Sequence, residues 1–343
     1  MQKKISIKDI AGQLGVSITA VSFILNGKAK EKGISDALAE KVLKYVEETG
    51  YKPNQLAKSL RTGKTKIISL LIENISDPFF SSIAGYVEEV ANKQGYKIIY
   101  GSTKNETSKT RELINLFKDR HVDGFIITPA ENLEADIITL QNEKIPLVLF
   151  DRYYKQVQTD YVGIDNFEST YNGVTHLIDQ NYKNIGFVTL DSDQTQMHDR
   201  LSGYLAALNN EDMSPMVLKV AYSKVHKTAT KEIAHFIKEN PRLDALFFAT
   251  NYLALKGLDV LTELNISIPD HLGLIAFDDH EVFKLYKPTI TAVTQPVAEM
   301  SKQLVDLLLH QIDDHAEKRE HKHVIVPAII NIRNSSVSSR QPI

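Results

Sequence analysis

Residues 6–28 read SIKDIAGQLGVSITAVSFILNGK, and this stretch decides how the first part of the chain folds. Ser6 is placed to cap a helix, with Asp9 three residues on, a capping-box-like pair whose acid sits at the favourable end. Ile7, Ile10, Ala11 and Leu14 then fall on one helical face. Gly15-Val16-Ser17 supplies a tight turn. Ser17 caps a second helix with Ala20, Val21, Ile24 and Leu25 facing inward, and Asn26-Gly27 ends it. Working outward, Ser35-Asp36 opens a third helix, with Leu38, Val42, Leu43 and Val46 as its apolar stripe and Gly50 as its stop. Two helices joined by a short Gly-containing turn, with a third in support, make a helix-turn-helix. Such a unit lays the start of its second helix against base edges in the major groove, which singles out Ile18, Thr19, Ser22 and Phe23. A three-helix bundle that binds another protein is the other reading of the same pattern.

Charge separates this head from the rest. Residues 1–66 hold 13 Lys and Arg against six Asp and Glu, so +7, while the remainder carries −10 and the whole chain −3. A basic head on an acidic body is the footprint of a nucleic-acid-binding module joined to something else. A solvated lysine-rich surface gives the same count. Residues 51–63, YKPNQLAKSLRTG, allow a helix of about seven residues from a cap at Asn54 to a stop at Gly63, far below the ~12–15 that hold alone in water. The segment is either a linker or a helix that forms on a partner. Lys58, Arg61, Lys64 and Lys66 favour a partner that carries phosphates.

Beyond residue 64 short apolar runs alternate with amphipathic segments: IISLLI (67–72), YKIIYG (96–101), GFIIT (124–128), LVLFD (147–151), IGFVTL (185–190), LFFAT (246–250) and GLIAFD (273–278). Unbroken runs of this kind are strands buried on both faces, and their alternation with helices predicts parallel βα units. The series divides near Asp165 into two similar doubly wound lobes. Segments 291–295 and 324–327 are spaced to cross between them. Ligands of open parallel sheets bind outside the carboxyl ends of the strands. The residues just past each strand therefore predict a cleft: Asn74, Asp77, Phe79 and Phe80, then Asp151 and Arg152, Asp165, Gln196 and Arg200, Asn251, and Asp278 with Asp279. Carboxylates, Asn, an Arg fork and an aromatic face suit a sugar or sugar acid. Other roles compete: helix-start packing for Phe79 and Phe80, a helix cap for Asp165, an interlobe salt bridge for Arg200, and a solvent or cap position for Asp279.

Composition excludes much else. The chain has 343 residues, 43% hydrophobic and 24% charged, which is globular rather than collagenous, disordered or coiled-coil. Without Cys there are no disulfides, thiolate metal sites or Cys nucleophiles. Motifs for dinucleotide, phosphate-loop, serine-hydrolase and zinc-protease chemistry are missing, so no enzyme is expected. Two of the cleft acids read as a glycosidase pair would be the enzymatic alternative. His310, His315, His321 and His323 read as solvated histidines rather than a metal site. No secretory leader and no run of ~18 apolar residues is visible, so the expected location is the cytoplasm, with no membrane partner.

The segment SIKDIAGQLGVSITAVSFILNGK, the GYKPN step and the LAKSL run resemble the lactose-repressor/galactose-repressor (LacI/GalR) family of bacterial transcription factors over the whole chain. The resemblance implies an all-α helix-turn-helix head (1–52), a hinge helix (53–63) and a periplasmic-binding-protein-like α/β core (64–343). Its lobes are expected at 64–165 with 295–322, and at 166–292 with 323–335. It implies that hinge helices of two subunits pair in the minor groove, with Leu60 wedged between base pairs and Ala57 and Lys58 at the floor and wall. The residues expected at DNA are Ser6, Ser17, Ile18, Thr19, Ser22, Phe23, Asn26, Tyr51, Asn54, Ala57, Lys58 and Leu60. Those expected at an effector are Phe79, Phe80, Asp151, Arg152, Asp165, Gln196, Arg200, Asn251 and Asp278. Family members usually carry Arg at the position of Phe23, so a guanine contact is lost, and Lys28–Ile34 is longer than the usual turn. The function implied is a ligand-responsive regulator, a repressor, that binds a near-palindromic operator as a homodimer and needs no cofactor beyond its effector. A nucleobase effector, or a transporter's solute-binding protein, is the alternative.

Overall fold

The computed structural model describes residues 5–51, 63–225, 227–313 and 320–337. Asn54, Ala57, Lys58 and Leu60, expected at the hinge, lie outside the described residues. The chain divides into two compact units, Met1–Thr65 and Lys66–Ile343.

The first unit holds α1 (Ile7–Leu14), α2 (Ile18–Leu25) and α3 (Asp36–Thr49). Their buried faces meet in a core of Ile10, Ala11, Val21, Ile24 and Val42. Each helix opens on a serine: Ser6, Ser17 and Ser35 accept from the backbone N–H groups of Asp9, Ala20 and Leu38. Orphan donors at each helix start are thereby satisfied.

The second unit is two doubly wound lobes. Lobe 1 contains β1 (Ile67–Ile72), α4 (Pro78–Lys93), β2 (Lys97–Ser102), α5 (Thr107–Asp119), β3 (Gly124–Ile127), α6 (Glu134–Asn142), β4 (Leu147–Phe150) and β5 (Asp160–Ile164). The chain then enters lobe 2 with α7 (Asn166–Asp179), β6 (Ile185–Leu190), α8 (Thr195–Asn209), β7 (Met216–Val220) and α9 (Ala229–Glu239). β8 (Ala245–Phe248), α10 (Asn251–Glu263), β9 (Gly273–Phe277), α11 (Glu281–Leu285) and β10 (Thr291–Thr294) complete it. Afterwards α12 (Val297–Asp313) and β11 (His323–Val326) return to lobe 1, and β12 (Ile329–Asn331) crosses back.

The sheet orders, β11-β5-β4-β3-β1-β2 and β12-β10-β9-β8-β6-β7, repeat one another strand for strand. Among the described residues every pairing is parallel except β10 with β12. Alternation sorts each strand onto two packed faces. Val148 and Phe150 of β4 join one core, while Leu147 and Leu149 join the other.

The expected lobe boundary is corrected at one place. Residues 323–335 are expected whole in lobe 2, yet β11 pairs with β5 of lobe 1 and only β12 pairs with β10. The run Val324–Ile330 is apolar throughout, so its residue types conceal the switch. Pro327 makes the break, because it has no N–H to continue a ladder.

Candidate functional site: a helix-turn-helix head and an interlobe cleft

In the head, α1 and α2 are bent at 112°, within the range of a DNA-reading helix-turn-helix. Ser6 forms a full capping box, its hydroxyl also donating to the Asp9 carboxylate at 2.6 Å. Ser17 caps α2, and Asn26 donates from Nδ2 to the Ser22 carbonyl at 2.7 Å. These three stay exposed, and each has a side-chain atom bonded at a helix end. Ile18 and Thr19 are exposed and Ser22 and Phe23 half-buried, on the side opposite Val21 and Ile24. Tyr51 packs against the head's core. The long connection Lys28–Ile34 is anchored there too, through Ala29 and Ile34.

The cleft lies where the strand-end rule places it. Asp151 follows β4 and Asp278 follows β9, equivalent strands of the two sheets. Both adopt left-handed backbone, φ 69° and 65°. A non-glycine residue there costs of order 1–3 kcal/mol and persists where its surroundings over-determine it. Lobe 1 adds Glu73 after β1, Asp77 capping α4, Phe79, Phe80 and Arg152. Lobe 2 adds Gln196 and Arg200 from α8, with Thr250 and Tyr252 at the start of α10. Gln295, in the crossover between β10 and α12, and Leu190 and Met197 of lobe 2 complete the lining of the cavity.

Two buried guanidiniums organise the charge. Arg152 donates from Nη2 to Glu73 at 2.7 Å and from Nη1 to Gln194 of lobe 2 at 2.5 Å. Arg200 donates from Nε to Asn166 at 2.8 Å and from Nη1 to the Ala249 carbonyl at 2.6 Å, and its Cζ lies 3.5 Å from the Phe277 ring centroid. It reaches Asn166 because α8 lies close on α7: a Cβ on Gly203 would come within 2.3 Å of the Phe167 carbonyl oxygen. All its named partners are in lobe 2, so it is not an interlobe salt bridge.

Burial pushes the Asp151 carboxyl up to about 6, against the pull of Arg152 and Arg200. Gln196 Nε2 donates to it from 3.4 Å, and Arg152 Nε stands 3.9 Å away. Asp278 is also raised by burial, though Arg200, Gln295 Nε2 at 2.6 Å and the Asn251 backbone oppose the shift. Asp77 is raised by burial despite bonds from Phe79 and Asn251. Burial opposes the Arg152 cation, but Glu73 and Asp151 outweigh it and hold its pKa above the ordinary value.

Several expected residues have other duties. Asp165 is not in the lining. Its Oδ1 accepts from the Ala328 N–H at 2.8 Å and the Ser169 hydroxyl at 2.9 Å, tying one crossover to another. A residue at a lobe junction is as well placed to bind the backbone of a neighbouring crossover as a ligand. Asn251 is buried and bonds Asp77 across the lobes rather than lining the cavity. Phe80 does both, lining the cavity and packing edge-on to Phe79 and Phe150. Asp279, expected at solvent or a cap, accepts both terminal nitrogens of Arg333 at 2.8 and 2.6 Å. Sequence reasoning misses Glu73, Gln194, Tyr222, Tyr252 and Gln295. Glu73 directly follows IISLLI, within reach of the strand-end rule; Tyr222, bonded to Glu73 from the far lobe, follows β7, a strand absent from the apolar runs to which that rule is applied. Among the described residues no group of His, Asp or Glu could hold a metal ion, and no single helix is long and apolar enough to cross a membrane.

Comparison with known proteins decides the family. The model of bacterial regulatory proteins of the lacI family matches residues 6–54, and that of a periplasmic binding protein-like domain matches 174–336. The HTH-type transcriptional regulator RegA of Clostridium saccharobutylicum is 31% identical over 308 residues, 89% of this chain and 91% of that protein. The chain belongs to the lacI family of bacterial transcriptional regulators. Among lacI-family structures, that of the lac repressor dimer bound to operator and the anti-inducer ONPF superposes with a TM-score of 0.85 at 19% identity, covering 98% of this chain and 100% of that one. A family regulator from Enterococcus faecium with bound ribose superposes at 0.69 with 24% identity, covering 78% and 98%. The head is thus the DNA-binding domain of a repressor-type regulator. Because its relatives regulate transcription, the chain is not an enzyme.

Proposed function

We propose that this lacI-family repressor binds a near-palindromic operator as a homodimer, in the cytoplasm, and is controlled by an uncharged, hydroxyl-rich small molecule, a sugar, held in the cleft between its lobes. The observation that carries the effector class is a set of buried polar atoms without hydrogen-bond partners: Arg152 Nε, Gln196 Oε1 and Gln295 Oε1. All three belong to residues that line the cavity. An unpaired buried polar atom costs about 1–3 kcal/mol, so a ligand that supplies both donors and acceptors gains that much at each. Hydroxyls do both.

Charge narrows the class. Glu73, Asp77, Asp151 and Asp278 face two guanidiniums, so with all six ionised the cleft carries an excess of two negative charges. A sugar acid or sugar phosphate would add to that excess in a low-dielectric site, and a neutral sugar does not. Phe79 has one ring face stacked on Phe150 and also borders the cavity, which suits the C–H surface of a pyranose or furanose. A neighbour of this fold binds ribose.

A ligand shifts only an equilibrium whose states it binds unequally. Bonds already cross the cleft, Arg152 to Gln194 and Gln194 to Asn105, so the lobes make contact that a ligand can strengthen or displace. A thermal-shift screen of neutral sugars, uronates, sugar phosphates and nucleobases tests this reading. Neutral sugars should give the largest shift, and the hit should change operator affinity. A nucleobase bound at micromolar affinity with no saccharide bound overturns the sugar reading. Specific operator binding by a strict monomer overturns the dimer.

A further inference from the structure

We propose that this repressor reads its operator half-sites in the major groove chiefly through thymine methyl groups, touched by Ile18 and Phe23, rather than through hydrogen bonds to guanine. The outward side of α2 carries four side chains, Ile18, Thr19, Ser22 and Phe23, and none is charged or an amide. Ile18 and Ser22 are one helical turn apart, as are Thr19 and Phe23, so the four form one contiguous patch. Ile18 is 46% exposed at the first position of the helix, where a large apolar residue gains nothing from water. Phe23 lies outside the head's apolar core and instead has the Lys32 ammonium 5.6 Å from its ring centroid. Asn26, an amide that could read adenine, spends its Nδ2 on the Ser22 carbonyl. The patch is therefore apolar with two hydroxyls.

Its occupant is set by charge. Lys28, Lys30 and Lys32 lie on the connection just beyond α2, against Glu31 alone, and the first 66 residues carry +7. Those surroundings fit a polyanion. Within the major groove the feature that answers an apolar side chain is the C5 methyl of thymine; every other distinguishing group is a donor or acceptor.

The test uses the full chain and an operator selected from random duplexes. Each thymine in the half-sites is replaced by deoxyuracil, which removes the methyl and keeps every base-pairing group. Burying one methyl-sized group corresponds to a factor of roughly four, so one contacted thymine in each half-site should weaken binding roughly fifteenfold. Ile18→Ala and Phe23→Ala should each bind more weakly and lose the preference for thymine over deoxyuracil at one position. Both should keep the wild-type salt dependence, since neither residue meets a phosphate. Equal affinity of the wild type for thymine and deoxyuracil duplexes overturns the inference, and that comparison needs no variant to fold. So do selected half-sites whose invariant pairs are all G·C, or alanine variants that retain full discrimination.

Discussion

The two lobes of the core share one backbone plan and differ in what they hang on it. Asp151 after β4 and Asp278 after β9 take the same left-handed turn at the same place in matching sheets, and burial raises both. The next residues part ways. Arg152 turns into the cleft and meets Glu73, while Asp279 turns to Arg333 on the strand edge. Each lobe also buries one guanidinium of the cleft, but Arg152 pairs with a carboxylate and Arg200 with an amide, a carbonyl and the face of Phe277. The repeated backbone sets where the cleft is; the unshared side chains set what it binds.

Replacing the two arginines by methionine breaks that comparison most severely. Arg152→Met leaves Glu73 buried and without its counter-ion, and should lower core stability by about 3–5 kcal/mol. Arg200→Met leaves neutral acceptors unpaired and should cost less, about 1–3 kcal/mol. Urea unfolding of the two variants measures both, and equal losses, or the reverse order, would contradict this account of how the two arginines are held. Asp278→Asn sharpens the comparison at the shared turn. Asn tolerates left-handed backbone, so the fold should survive while the carboxylate acceptor is lost. Calorimetry should find binding of the sugar hit weakened about tenfold. Unchanged affinity would remove Asp278 from the site.

The smallest expected effect is on pH. A carboxyl raised from 3.8 to about 6 binds its proton more tightly folded than unfolded, so protonation favours the fold. Ligand-free protein should therefore gain thermal stability as pH falls from 7 to 5. Asp151→Asn should flatten that trend without abolishing it, since burial raises Asp77 and Asp278 as well. A melting temperature that falls steadily from pH 7 to 5 would contradict the assignment.

Much of this is legible in the chain itself. Serines at helix starts and βα alternation mark local rules that tertiary structure leaves alone, and the strand-end rule brings out Asp151, Arg152 and Asp278 without alignment. The hidden part depends on contacts between lobes. Tyr222 meets Glu73 only because β7 ends opposite β1, and Asp165 looks like a ligand residue until Ala328 is seen to donate to it. The apolar run before Ile330 cannot reveal its own change of sheet, because both halves of it suit a strand equally.

The account's central claim is that a neutral sugar in the cleft, held in part by Asp278, controls operator binding by the head. Titrating the sugar hit into the operator complex of wild type and Asp278→Asn tests it most directly. Without sugar the two proteins should bind operator equally, and the variant should need about ten times more sugar for the same change in operator affinity. A variant that responds at the wild-type concentration, or a uronate that acts at lower concentration than its neutral parent sugar, would contradict it.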